Sequence, residues 1–190
     1  IPLIKVPFFL FKDIPDKIPT PKLNIKINNN KNKYKYIVIN LEAGTFRWHK
    51  SMPSFEETEK IKREIVRSNP NINFVINQSY CQKNTVYNKN ISIFNGNYKK
   101  LINIMANSLG VISFRNGLCD VIAARTKIPQ LIIYPKGKYP NDSGIDTIKW
   151  AGMKNLGYKS KITEYLVDKS DSKSLIKLIQ TTNNFIKKII

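Results

Sequence analysis

The feature that most constrains this chain is a set of short apolar runs that do not alternate with polar residues: "YIVIN" from Tyr36, "INFVIN" from Ile72, "ISIF" from Ile91, "VISF" from Val111 and "QLIIY" from Gln130. A strand with one wet face alternates, whereas a strand covered on both faces reads as a continuous apolar run. Between the runs lie stretches with helical spacing. In "PSFEETEKIKREIVRSN", Ser54 and Glu57 form a capping box after Pro53, and Phe55, Ile61, Ile65 and Val66 make an apolar stripe. Leu101, Ile104, Met105 and Leu109 give a second helix, with Gly110 as its stop, and "GLCDVIAART" gives a third. "EYLVD", residues 164–168, reads as a last short strand. A closing helix follows, with Leu175, Leu178, Ile179, Ile186 and Ile189 on one side. Strand and helix in alternation predict a Rossmann-like three-layer α/β domain with a mostly parallel sheet.

The first 33 residues do not fit that plan. Prolines at positions 2, 7, 15, 19 and 21 exclude a helix or a central strand there. Residues 1–33 therefore read as a Pro-rich linker, with residues 34–190 as the folded domain. The chain opens on Ile-Pro, and the sequence reads as a piece of a longer protein. The Asn/Lys run from Asn28 to Lys33 reads as a surface loop.

Charge narrows the partners. Lys and Arg total 32 against 13 Asp and Glu, a net charge of +19 over 190 residues. Such a balance attracts polyanions, although abundant Lys, Asn and Ile also follow from a compositional bias. No RNP-like aromatic strand, zinc spacing or helix-turn-helix is readable, so nucleic acid is not the expected partner. Cys81 and Cys119 stand too far apart for a metal motif, and Cys119 reads as a packed thiol. No signal peptide and no apolar run of membrane-spanning length is visible. The expected place is the cytoplasm, with peripheral contact to an anionic membrane face.

Ligands of parallel α/β sheets sit beyond the carboxyl ends of the strands. The loop "FRNGL" lies at such an end. Gly117 would let an anion approach the backbone, and the start of a helix at Leu118 offers unpaired N–H groups and a favourable dipole. Arg115 would add a bidentate contact. Asn116 belongs to the same turn, and Asp120 suits a first helical turn. The alternative is a tight turn with a solvated arginine. In the first loop, "NLEAGTFRWHKSMP", Gly44, Thr45, Arg47 and Ser51 are candidate anion contacts, and Ser79 ends the next strand. Glu42 reads as a solvated loop charge and Trp48 as a ring packed on the core. His49 is the only histidine and the one catalytic candidate, although a lone histidine is more often structural.

The stretch "NYKKLINIMANSLGVISFRNGLCDVIAARTKIPQLIIYP" resembles the carboxyl-terminal, nucleotide-sugar-binding half of GT-B glycosyltransferases, in particular heptosyltransferase-like and bacterial capsule or lipopolysaccharide enzymes. The resemblance runs through Leu101-Ile102, Val111-Ile112, Asn116-Gly117, Ile122-Ala123-Ala124, Pro129 and Leu131 to Tyr134. Arg115-Asn116 before the glycine and Cys119-Asp120 after it depart from the heptosyltransferase pattern and are closer to the capsule type. The resemblance implies transfer of a sugar from a nucleoside-diphosphate donor to a surface polysaccharide or lipid-linked acceptor. It implies no metal and no cofactor beyond that substrate. A non-enzymatic basic module binding nucleic acid or an anionic membrane is the alternative function.

Overall fold

The computed structural model describes residues 35–42, 46, 48–78, 90–139, 144–158 and 161–190, and in it the apolar runs pair side by side. Strand β1 (Tyr36–Asn40) is flanked by β2 (Asn73–Asn77) and β4 (Gly110–Phe114). Outside these lie β3 (Ile91–Phe94) on one side, and β5 (Gln130–Pro135) then β8 (Ile162–Val167) on the other. The order is β3-β2-β1-β4-β5-β8 and every pair is parallel. The chain is a Rossmann-like α/β three-layer domain. It winds outward from β1 to β3, then returns to β4 on the opposite side of β1. The order therefore reverses between β1 and β4, the place where such sheets open a crevice.

Successive side chains of a strand point to opposite faces, and here both faces are covered. Ile37, Ile39, Ile112 and Phe114 bury one face against α1 (Phe55–Arg67) and α5 (Ser172–Ile189), which supply Ile61, Ile65, Leu178, Phe185 and Ile186. Val38 and Val111 bury the other against α2 (Tyr98–Ala106) and α3 (Gly117–Arg125), through Leu101, Ile102, Met105 and Ile122. Each such fully buried aliphatic side chain stabilises the fold by about 1.5–3 kcal/mol. Both halves of the capping box form at the start of α1: Glu57 N–H donates to Ser54 Oγ at 3.1 Å, and Ser54 N–H to Glu57 Oε2 at 2.7 Å.

Three boundaries differ from the sequence expectation. Gly110 does not stop α2. Asn107 caps that helix, and Gly110 is the first residue of β4. A Cβ at Gly110 would overlap the Cδ1 end of Ile189 and touch Phe185, so the glycine lets α5 lie close against the sheet. The last strand begins at Ile162, two residues early. The segment after β5, expected as loop, contains a short antiparallel pair, β6 (Lys138–Tyr139) and β7 (Ile145–Asp146), and a one-turn helix, α4 (Thr147–Ala151). The linker, residues 1–33, lies outside the described residues.

Candidate functional site

Four neutral polar side chains meet at this reversal of strand order. Asn40 ends β1, Asn77 ends β2 and Ser113 sits near the end of β4, with Asn40 and Ser113 in direct register. By strand alternation all three share the α2/α3 face of the sheet. Asn77 Nδ2 donates to Asn40 Oδ1 at 2.8 Å, and Asn40 Nδ2 donates to Ser113 Oγ at 3.0 Å. Asn116, the N-cap of α3, joins from the next turn, donating from Nδ2 to Ser113 Oγ at 3.2 Å and to Phe114 O at 3.0 Å. The direction of the ladder is fixed by its end: Leu118 N–H must donate, and it does so to Asn116 Oδ1 at 2.9 Å. The Ser113 hydroxyl passes its proton to Phe114 O at 2.7 Å. Asn40, Asn77 and Ser113 are all buried. Among the described residues, the acceptor of this ladder left without a partner is Asn77 Oδ1. Gln78, next along the chain and also buried, has no side-chain partner among them either.

The ladder ends beside the start of α3. The space where a side chain on Gly117 would stand is open, with no atom of the described residues within 4 Å. Its N–H has no acceptor among the described residues. Leu118 N–H, expected to face a ligand, is instead closed by the Asn116 cap, and Cys119 N–H by Asn116 O at 3.1 Å. One free N–H and the helix dipole remain for an anion there.

Arg115 does not reach into the crevice. It is buried, at 8% exposure, and its guanidinium is fully engaged. Two nitrogens grip Asp120, NH1 to Oδ2 at 2.7 Å and NH2 to Oδ1 at 2.9 Å, while Nε donates to Ala151 O at 2.9 Å. Burial alone would lower its pKa, but the Asp120 carboxylate outweighs burial and holds the guanidinium above its usual value. Asp120 is thus the counter-ion of Arg115, not merely a helix-start residue. Burial, then the Asp120 carboxylate, raises the pKa of the Tyr158 phenol. A second brace lies alongside. Tyr134 donates to Glu164 Oε1 at 2.8 Å, and Met153 N–H donates to the same oxygen at 2.7 Å. Burial, then the adjacent Glu164, pushes the Tyr134 phenol well above its ordinary range. Arg115, Tyr134 and Glu164 therefore pin the α4 segment over the ends of β4, β5 and β8.

The first loop is held by charge as well. Glu42, expected to be solvated, is buried and paired with Lys62 of α1, a fully buried lysine that also pairs with Glu59. His49 has both ring nitrogens occupied. Nδ1 accepts from Ser51 N–H at 3.1 Å, which leaves Nε2 to donate to Lys138 O at 3.0 Å. The imidazole packs over Gly137, where φ is +121° and an added Cβ would stand 3.3 Å from the ring, so a side chain there would be strained and tight. His49 is a strut between two loops, with no free nitrogen for proton transfer. Ser51 is buried beside it, and its carbonyl accepts from Lys169 N–H at 2.9 Å. Trp48 is not packed on the core: it is 88% exposed, with an edge-on contact to Phe55 at a centroid distance of 6.4 Å. Cys119 is the packed thiol expected, its pKa raised by burial. Gly44, Thr45, Arg47 and Ser79 lie outside the described residues.

Among the described residues no group of three or more His, Cys, Asp or Glu is placed to hold a metal ion, and no helix is long and apolar enough to cross a membrane. No family model matches the chain, and no curated protein matches its sequence. The fold and the polar ladder therefore define it only as a Rossmann-like domain with a ladder of neutral side chains at the β1/β4 switch point.

Proposed function

We propose that this chain is the donor-binding domain of a glycosyltransferase, holding a nucleoside-diphosphate sugar in the β1/β4 crevice. The acceptor would be a surface polysaccharide or lipid-linked glycan. The observation that carries this reading is the ladder Asn77–Asn40–Ser113–Asn116, set at the reversal of strand order and ending beside the open backbone of Gly117. A neutral ladder suits the hydroxyl and amide groups of a nucleoside, for which Asn77 Oδ1 and the Gln78 amide are the contacts without a side-chain partner among the described residues. The diphosphate falls to Gly117 N–H and the dipole of α3, where negative charge is favoured. Its charge grows as the glycosidic bond breaks, and positive potential aimed at the leaving oxygen is what lowers that barrier. Lys136 and Lys138, both exposed on the segment after β5, add to that potential. Arg115 acts in this scheme as a brace behind the turn. No side chain is assigned as the base.

The test is a thermal-shift series with UDP, GDP, CDP, ADP and their sugars. A ligand at a hundredfold excess over its Kd stabilises the native state by about 2.7 kcal/mol. One nucleotide base should raise the melting temperature well above the others, and Gly117→Val should remove that rise. No shift with any nucleotide would end the reading.

A further inference from the structure

Helices α1 and α5 pack on the same face of the sheet yet carry their charges in opposite ways. On α1 each exposed base with an ion pair has its acid on the same helix: Lys60 with Glu56 at 2.9 Å and Arg67 with Glu64 at 2.7 Å. On α5 there is no acid from Ser172 to Ile189, and four lysines, Lys173, Lys177, Lys187 and Lys188, are all exposed. Among the described residues none of the four has an ion-pair partner. The nearest acid, Asp171, is engaged in capping the helix by accepting from Lys173 N–H at 2.9 Å.

The four lysines share one face. At about 100° per residue they fall, with Ile176, within roughly 120° of arc, and Lys173 and Lys188 stand about 22 Å apart along the axis. The opposite face, Leu178, Phe185 and Ile186, is sealed in the core. Helix stability does not explain the arrangement. Lys187 and Lys188 suit a carboxyl end, but Lys173 and Lys177 stand in the first turns, where the dipole disfavours a cation. Nor does it explain Ile176, which is 56% exposed between those two lysines.

We propose that this face of α5 docks on an anionic lipid bilayer, the lysines meeting headgroup phosphates and Ile176 entering the interfacial layer. A bilayer surface takes cations and an aliphatic side chain together, with the long lysine stems lying along it. A nucleic-acid backbone offers Ile176 nothing, and the face has no arginine fork or aromatic ring to read bases. The inference is independent of the donor-site reading.

The experiment is sedimentation with vesicles of phosphatidylcholine, with and without phosphatidylglycerol, using the 190-residue chain. The wild type should bind only the anionic vesicles, and added salt should release it. Changing Lys173, Lys177, Lys187 and Lys188 together to Gln should weaken binding several hundredfold, about fivefold per lysine. Ile176→Ser should weaken it several-fold with the charge unchanged. A charge-matched control, with the exposed Lys99, Lys100, Lys127 and Lys154 changed to Gln, should stay within a few-fold of wild type. All these positions are on the surface, so matching circular dichroism and melting curves will confirm intact folds. The proposal is overturned by no binding to anionic vesicles, by equal binding to neutral ones, or by an equal loss in the control. It is also overturned if the α5 variant loses affinity for duplex DNA while keeping affinity for vesicles.

Discussion

Asn40 and Glu42 stand two residues apart at the end of β1, and Ser113 and Arg115 stand two apart at the end of β4. Within each pair the neutral residue belongs to the ladder in the crevice, and the charged one is buried in an ion pair that fixes a loop. Glu42 ties the first loop to Lys62 of α1. Arg115 ties the start of α3, through Asp120, to the end of α4, through Ala151 O. The difference teaches where to look for binding. A charge taken out of water must be matched by the fold itself, since an unmatched one costs several kcal/mol. The charged members have therefore already found their partners, whereas, among the described residues, the neutral ladder retains an acceptor at Asn77 and adjoins an open N–H at Gly117.

Breaking the charged set should affect stability most. Lys62→Met leaves the buried Glu42 without its cation and should cost about 3–5 kcal/mol in a urea melt. Pairing it with Glu42→Gln should restore much of that loss, because the isolated charge is gone. If the single variant melts within 1 kcal/mol of wild type, a loss on the order of an ordinary surface change, the buried triad is not holding the loop. Arg115→Ala comes next. It strands Asp120 and Ala151 O together and should cost about 3 kcal/mol, and Arg115→Lys should recover little, since one ammonium cannot replace the fork and Nε at once. A protein as stable as wild type after Arg115→Ala would mean that the guanidinium is free for a ligand after all.

Disturbing the neutral set should move stability less and ligand binding more. Ser113→Ala removes the acceptor shared by Asn40 and Asn116 and should cost about 1–3 kcal/mol, with a further loss of nucleotide affinity beyond that seen in any variant of the loop braces. Equal nucleotide affinity in Ser113→Ala and wild type, by calorimetry, would detach the ladder from binding. Smallest of all is the thiol. With Cys81→Ser as background, Cys119 should resist iodoacetamide at neutral pH until the domain unfolds, because burial raises its pKa and denies access. Rapid alkylation of the native protein would show that the start of α3 opens readily.

The strands and the capping box were legible because their signals are local: a run of five apolar residues from Tyr36, or Ser54 three positions before Glu57. The site was legible only as a place. The turn at Gly117 was visible, but Asn40, Asn77 and Ser113 each look like one polar residue at the end of an apolar run, and only the parallel register brings them together. The state of Glu42 depended on Lys62, twenty residues on, and that of Arg115 on a carboxylate one helical turn inside α3 and a carbonyl at Ala151. Strands of two residues, such as β6 and β7, are too short to show any period.

The central claim is that the neutral crevice beside Gly117, not the charged side chains around it, is the binding face. Isothermal titration of the preferred nucleoside diphosphate into wild type and Gly117→Val tests it most directly. No atom of the described residues lies near the added Cβ and the glycine φ is not positive, so melting should be nearly unchanged. Affinity should nevertheless fall by at least about tenfold, equivalent to about 1.4 kcal/mol, because the branched side chain fills the space a phosphate needs. An unchanged affinity in Gly117→Val, with the fold intact, would contradict the account.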